Sequence, residues 1–514
     1  MNADAPAVTV LVPTFNRRRY LGGALASILA QTYTDFEAIV VNDGGEPVDD
    51  VVHALDDPRL VFIDRRENRG KAASLNEALA RARGRYVAYL DDDDHYYPHH
   101  LERLVGALEA HPECGAAYSD LYKVHCRVEP DGTRRVLGKV VNISRDFDRF
   151  FLCYFNHVLH VSLMHRRDLL EKTGPYNESL GVLIDWDMTR RLGFFTDFHH
   201  VGEVTGEFFG PVGRCDRISY RQRQDRVKYL GQVLTIRTTR PPKPWPKMPD
   251  LSVVVLAESL DSAVAETLRR IWTWTFMPYE VVLPLPAAEL ARLKTTMPNI
   301  RPVPVPEGAR RGSCLRAALG AARGDHVAVV PRGAAVGNLW IENALHAAVT
   351  GAAGGAAFLG TGEKEALRPV LARPEDWQAV CAAPEEMPLA DALRTRGMEV
   401  REPRPTETAF QFDQLLQDAQ SLEAEGSWAQ AAWLYGQIGA RFSNARWMRE
   451  RRAGALYRAG GRDGEALSAV RELNARRPTV STLVLEARLL RRAGDEASAA
   501  ELLEQAEEAL SVKD

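Results

Sequence analysis

Four carboxylates in a row, Asp91-Asp92-Asp93-Asp94, follow directly on the apolar segment Tyr86 to Leu90 in GRYVAYLDDDDHYYP. Consecutive like charges repel, at a cost that solvent or a cation must relieve. A hard divalent ion is a fitting counter-charge. Mg2+ or Mn2+ takes one or two protein carboxylates and leaves its other positions to phosphate oxygens and water. The alternative is a solvated acidic loop, or the first turn of a helix leading to Leu101. The buried strand before the acids favours the metal.

The acids need a scaffold, and the first two hundred residues supply one. Apolar runs Val8 to Val12, Phe36 to Val41, Leu60 to Ile63 and Tyr86 to Leu90 alternate with helical stretches Leu21 to Ala30 and Lys71 to Ala82. Strand and helix in alternation predict an α/β fold with a mostly parallel, doubly wound sheet. Ligands of such sheets sit beyond the carboxyl ends of the strands. Each predicted strand ends there in polar residues: Thr14 to Arg17, Asn42-Asp43-Gly44, Asp64-Arg65-Arg66 and Asp91 to Asp94.

Five prolines between Pro241 and Pro249 exclude helix and central strand and predict a stiff connector over 237–250. Beyond it the chain restarts. A shift of 243 residues aligns Val10 and Val12 with Val253 and Val255, and Phe36-Glu37 with Tyr279-Glu280; a shift of 240 aligns Ala82-Arg83-Gly84 with Ala322-Arg323-Gly324. The acids are not copied: Asp91 to Asp94 fall opposite Pro331, Arg332, Gly333 and Ala334, and Asp43 opposite Pro286. A second α/β unit without the chemistry of the first is expected. In the last hundred residues, Gly426/Ala431, Gly461/Ala466 and Gly494/Ala499 recur at intervals of 35 and 33. The pattern resembles tetratricopeptide repeats, an ordinary helical bundle being the alternative. The expected division is 1–236, 237–250, 251–404 and 405–514.

Composition sets the limits. At roughly 150 residues per domain, 514 residues predict about three domains. Charged residues at 26% and hydrophobic ones at 45% exclude disordered and fibrous classes. A net charge of −4 supplies no global attraction to nucleic acid. Six scattered cysteines without CxxC spacing suit a reducing compartment. The opening MNADAPAVTVLVPTF lacks a basic and then long apolar segment, and no window reaches the ~20 apolar residues of a membrane span, the run Ala347 to Gly360 coming nearest. A cytoplasmic protein is expected, with peripheral contact at the inner membrane face left open.

Several ordered motifs together carry a resemblance: VTVLVPTFNR, SILAQTYTDFEAIVVNDGG, ENRGKAASLNEALARARGRYVAYLDDDD followed by Pro98, and GPYNESL followed by IDWD. They resemble the family 2 glycosyltransferases of GT-A fold over residues 7 to about 220. The resemblance implies metal-dependent transfer of a sugar, with inversion, from a nucleotide diphosphate sugar, a UDP-sugar in first place. It puts the DxD metal motif on Asp91 and Asp93, with Asp93 the direct ligand of Mn2+ or Mg2+, and Asp91 or Asp92 toward the ribose. Pro13, Thr14, Phe15, Asn16 and Arg17 would hold the nucleobase, Phe15 by stacking. Asp43 would accept from the base or merely form the turn before Gly44-Gly45. Lys71 would lie near the diphosphate or be solvated.

An inverting transfer needs a carboxylate opposite the leaving diphosphate, and Asp185 in LIDWD is the expected base. Where the family has a Glu before this Asp, this chain has Ile184. Asp187 competes for the role or orients the helix, and Trp186 lines the acceptor face or is a core residue. His199 or His200 could join the metal shell or simply close a strand. The acceptor is a glycan, a lipid-linked intermediate or a protein, and the helical repeats could serve a protein partner or homo-oligomer. Two rivals remain: a sugar nucleotidyltransferase, disfavoured because VPTFNRRRY lacks a Gly-rich loop, and a non-catalytic nucleotide-sugar-binding scaffold.

Overall fold

The computed structural model describes residues 5–141, 144–211, 226–294, 299–334, 340–350, 356–360, 368–402, 415, 419–420, 422–423, 425–441, 446–476 and 478–511. Cys215, part of the Ala347 to Gly360 run and most of the start of the expected last unit lie outside the described residues. The other five cysteines are free and buried.

The first unit is built on strands β1 (Val8–Thr14), β2 (Phe36–Asn42), β3 (Leu60–Asp64), β4 (Tyr86–Tyr89), β5 (His95–Tyr96), β6 (Cys114–Val128), β7 (Arg134–Val141), β8 (Leu163–Arg166) and β9 (Asp197–Pro211). They form one sheet in the order β3-β2-β1-β4-β8-β6-β9-β5, with β7 paired to β6 at its edge. The four strands from β3 to β4 are parallel, as the alternating pattern predicts. From β8 onward the sheet is mixed. Helices α1 (Arg18–Leu29), α2 (Asp49–His53), α3 (Lys71–Arg81) and α4 (His100–Ala110) cover its faces. β1 and β2 are almost wholly buried, the mark of a strand covered on both sides. Three shorter helices follow: α5 (Arg149–Tyr154), α6 (Leu170–Thr173) and α7 (Ile184–Leu192).

The second unit has strands β10 (Leu251–Leu256), β11 (Tyr279–Pro286), β12 (Ile300–Val305), β13 (His326–Pro331), β14 (Ala357–Leu359), β15 (Val370–Ala372) and β16 (Val400–Arg401). Their order is β12-β11-β10-β13-β15-β14-β16. Strand for strand and direction for direction this matches the β3-β2-β1-β4-β8-β6-β9 path. One buried polar device recurs in both sheets. Glu37 accepts from the Thr9 hydroxyl at 2.8 Å and the Arg83 N–H at 2.8 Å, while the Gly84 N–H donates to Thr9 Oγ1 at 2.9 Å. Glu280 likewise accepts from the Ser252 hydroxyl at 2.8 Å and the Arg323 N–H at 2.7 Å, and the Gly324 N–H donates to Ser252 Oγ at 2.9 Å.

The proline-rich stretch after residue 238 holds no helix or strand. Residues 226–238 are helical, so the helix runs two residues into the expected linker. The rest packs against both units: Trp245 meets Phe194 edge to face at 4.8 Å and Lys247 pairs with Asp197 on the first, while Lys243 donates to the Arg323 carbonyl at 3.0 Å and Met248 joins the buried core of the second. Proline removes backbone donors, but it does not prevent the aromatic and ionic contacts that dock the segment.

The tail is helical over 428–441, 446–459, 463–476, 480–492 and 496–511. Gly426, Gly461 and Gly494 all adopt left-handed φ, at 77°, 68° and 85°, and a helix begins two residues after each. Such a turn favours glycine. Ala431, Ala466 and Ala499 are fully buried, where a small side chain lets adjacent helices approach. No described helix is long and apolar enough to cross a membrane.

Gly84 and Gly324 sit where a Cβ would run into the backbone nitrogen of Thr9 and Ser252. Gly84→Ala and Gly324→Ala are each expected to destabilise their sheet by about 1–3 kcal/mol, read as a lower melting temperature.

Candidate functional site

The carboxyl ends of β1, β2 and β4 converge on one edge. β1 runs into a tight loop in which Asn16 takes φ 54° and its Oδ1 accepts from the Glu46 N–H at 2.8 Å. Pro13 lies within β1 opposite Val41 of β2. Facing this loop, Gly44 has φ 68°, and a Cβ there would strike the Glu67 backbone. The two turns pin each other, and Phe15 is left 42% exposed.

The four aspartates each have a different partner. Asp91 Oδ1 accepts from Lys71 Nζ at 2.5 Å. Asp92 Oδ2 accepts from the Thr14 hydroxyl at 2.7 Å. Asp93 Oδ2 takes Arg17 and, at 2.7 Å, Arg134. Asp94 Oδ1 accepts from the Phe209 N–H at 3.0 Å. The repulsion foreseen for this run is thus met by the protein's own cations. Arg134 was not foreseen: it comes from β7, beyond any motif, and no sequence signal links it to Asp93. Tyr20 and Phe209 hold its guanidinium between their rings, 3.9 Å and 4.4 Å from the centroids.

These pairings separate the carboxyl groups by protonation. Burial, then the charge of Asp93, pushes Asp92 up to about 7. Burial would raise Asp91 too, but Lys71 outweighs it and holds Asp91 below its ordinary value. For Lys71 burial opposes the charge, yet Asp91, Asp185 and Asp92 together raise its pKa. Lys71 therefore stands within electrostatic reach of both Asp91 and Asp185.

Asp43 is nearly saturated. It accepts from Arg65 at 2.8 Å and from the N–H groups of Arg69 at 3.0 Å and Gly70 at 2.8 Å. It ties the loop before α3 to the end of β2, which leaves about one of its ~four acceptor positions for a ligand.

Asp185 lies in the first turn of α7, where the helix dipole favours a carboxylate. Leu183 starts this helix with φ 60°, an unusual conformation for a side chain of its size. Gln232 Oε1 holds the strained turn by accepting from the Gly181 and Val182 N–H groups, both at 2.9 Å. The Asp185 carboxylate accepts from Asn156 Nδ2 at 2.8 Å. Burial, with Asp91 adding to it against Lys71, raises its pKa.

At four positions the structure decides between the alternatives. Trp186 is buried and its Nε1 donates to the Leu152 carbonyl at 2.7 Å, so it is a core residue and offers no face to a sugar. Asp187 is buried against Arg191, whose Nε and Nη2 both reach its Oδ2, at 2.9 Å and 2.7 Å; it neither caps the helix nor faces an acceptor. His199 stacks on His111 at 3.9 Å. His200 has both ring nitrogens engaged, by Asp120 at 2.9 Å and Asp146 at 3.0 Å; burial opposes its charge, but these carboxylates raise its pKa to about 9. A cationic imidazolium so placed is no metal ligand.

Among the described residues no group of three or more His, Cys, Asp or Glu side chains is arranged to hold a metal unaided. Asp91 Oδ2 and Asp93 Oδ1 nevertheless take no protein hydrogen bond. Two such oxygens fit an ion that draws its other ligands from phosphate and water. Arg17 and Arg134 both contact the other oxygen, Asp93 Oδ2.

Comparison with known proteins bears on this arrangement. The model of glycosyl transferase family 2 matches residues 9–166. An uncharacterized glycosyltransferase of Rickettsia prowazekii is 28% identical over 195 residues, covering 36% of this chain; the chain spans only 58% of that protein. A solved mannosyltransferase from Pyrobaculum calidifontis, in complex with GDP-Man and Mn2+, is 24% identical with a TM-score of 0.35, covering 47% of this chain and 67% of that one. An uncharacterized glycosyltransferase of Methanocaldococcus jannaschii is 30% identical over 242 residues, 46% of this chain and 80% of that protein. On that match and the family model, the chain belongs to glycosyl transferase family 2.

Proposed function

We propose that this chain transfers a sugar from a nucleoside diphosphate sugar, a UDP-sugar in the first instance, to a hydroxyl acceptor with inversion at the anomeric carbon. The observation that carries the reading is the Lys71–Asp91 pair at the carboxyl edge of the first sheet, with the charge of Asp185 acting on the same lysine. Exposed Phe15 offers a stacking face for the nucleobase, and Asp43 keeps an acceptor for its edge. Asp185 takes the proton of the acceptor hydroxyl as the new bond to the anomeric carbon forms. The bond from that carbon to the diphosphate oxygen breaks with its electron pair on the leaving group. Lys71 stands where it can compensate the growing negative charge. Asp91 Oδ2 and Asp93 Oδ1 would hold Mn2+ or Mg2+, which when bound neutralises charge on the diphosphate.

On this reading the chemistry belongs to residues 1–236, and 251–404 is a copy that has lost it. The shared strand order and the repeated Glu37 and Glu280 networks support common descent of the two sheets. Opposite Asp91 to Asp94 stands a segment in which Arg332 pairs with Asp261, a cation in place of the acids. The 405–514 tail, with its regular glycine turns, is read as tetratricopeptide-like and as a docking element for a protein partner or second copy. The acceptor is a glycan, lipid-linked or protein hydroxyl presented to a cytoplasmic enzyme.

Binding and chemistry separate experimentally. UDP with Mn2+ is expected to raise the melting temperature by several degrees, equivalent to about 2.7 kcal/mol at a hundred times Kd, and Asp93→Asn to abolish the shift. Absence of stabilisation by any nucleoside diphosphate would sink the donor-site reading. Asp185→Asn should keep that shift and lose transfer by about 10²–10⁴-fold; surviving transfer would reassign the base. Because Asp185 acts deprotonated and its pKa is raised, transfer should fall as pH drops through a midpoint above the ordinary aspartate value of about 3.9. A pH profile of kcat reads this directly.

A further inference from the structure

The helix α5 occupies a singular place. Its six residues, RFFLCY, face three different cores in turn. Phe150 meets His346 edge to face at 4.8 Å and Tyr154 meets Phe276 at 4.9 Å, both partners belonging to the second unit. Cys153 is buried within that unit's core beside Leu251 and Ile271. Phe151 packs into the helical tail with Ala431, Tyr435 and Ile438. Leu152 belongs to the core of the first unit, and its carbonyl receives the Trp186 indole N–H. Asp148 caps the helix by accepting from the Phe151 N–H at 3.0 Å, and Arg149 ties it to the Gly193 carbonyl at 2.8 Å.

Two residues after α5 comes Asn156, whose Nδ2 donates to Asp185 Oδ2 at 2.8 Å. Helix α5 therefore holds the Asp185 segment twice, through the Trp186 indole and through the Asn156 amide. We propose that Asn156 is a positioning residue that aims the Asp185 carboxylate, and that α5, clamped between the second unit and the tail, holds Asn156 in place. The proposal rests on the reading of Asp185 as base. It gives the second unit and the tail a part in the reaction: they fix the geometry of a proton acceptor they do not touch. One carboxylate oxygen is held by the amide, which leaves the other to meet the acceptor hydroxyl in a single orientation. An aim lost by about an ångström costs on the order of a hundredfold in rate.

The test uses the full chain and the donor found by screening nucleotide sugars. Asn156→Ala is expected to lower kcat about ten- to a hundredfold while leaving donor KM and the UDP–Mn2+ melting shift unchanged. Asn156→Asp keeps the shape but sets a carboxylate against Asp185, and should lower kcat at least as far. Asn156→Ser keeps a hydroxyl donor and should recover part of the loss. Phe151→Ala, which loosens α5 from the tail, should give the same signature of reduced kcat at unchanged donor KM. If the Asn156 variants stay within twofold of wild type while Asp185→Asn abolishes transfer, the positioning role is wrong and the base stands. If Asp185→Asn itself retains transfer, the base reading has failed instead. Loss of donor binding in step with kcat would make Asn156 merely structural, and a Phe151→Ala enzyme with wild-type kcat would overturn the anchoring by the tail.

Discussion

Packing four carboxylates at the end of one buried strand is the constraint on which the rest of the site depends. At an effective dielectric constant of 20, two unit charges ~4 Å apart interact by about 4 kcal/mol, so the run cannot stand uncompensated. The compensation is drawn from separate segments. Arg17 comes from the loop after β1, Lys71 from the first residue of α3, and Arg134 from the edge strand β7. Each ion pair that relieves the aspartates also fixes a wall of the edge where they sit. The β6–β7 hairpin in particular is held to the site by Arg134, and without Asp93 its guanidinium would remain between Tyr20 and Phe209 with no counter-charge.

The second sheet shows what the fold needs and what it does not. It keeps the strand order, the buried glutamate and the close glycine of the first sheet, with Ser252 in place of Thr9. It has no acid run. The strand order therefore does not require Asp91 to Asp94, although in the first sheet their ion pairs also tie β7 and the loop after β1 to the site. A charge cluster that the strand order does not need accords with the donor and metal roles proposed for these residues.

The legibility of the molecule from its sequence follows the range of the interactions. Elements set by local periodicity could be read: β1 to β4, α1 and α3 fall within a few residues of their predicted limits, and the glycines of the tail mark its turns. Asp91 and Asp93 were recognisable because they follow directly on the apolar run that forms β4, and Asp185 through the IDWD motif. Side-chain direction was not recognisable. Trp186 and Asp187 flank Asp185, yet α7 turns both inward, and only the packing of Leu152 and Arg191 decides that. Arg134 and Asn156 reach their aspartates from β7 and from just beyond α5, across 41 and 29 residues of chain, with no local pattern to announce them. The docking of the connector is hidden for the same reason: proline forbids regular structure over its length, but docking depends on Trp245 and Lys247 finding distant partners.

These long-range contacts explain why a chain of this length is organised around so small a reactive region. A carboxylate that must take a proton needs a fixed direction, and direction is a property that a loop on one domain secures poorly. Asp185 begins a helix after a left-handed Leu183, a strained start that persists only if surrounding structure enforces it. The enforcement comes from Gln232 on the helix leading into the connector and from α5 between the units. Both lie where the first unit meets its neighbours. The strained turn and the interface are therefore one mechanical assembly, and a change in how the units pack would reach Asp185, the proposed base, before it reached the aspartates proposed to face the donor.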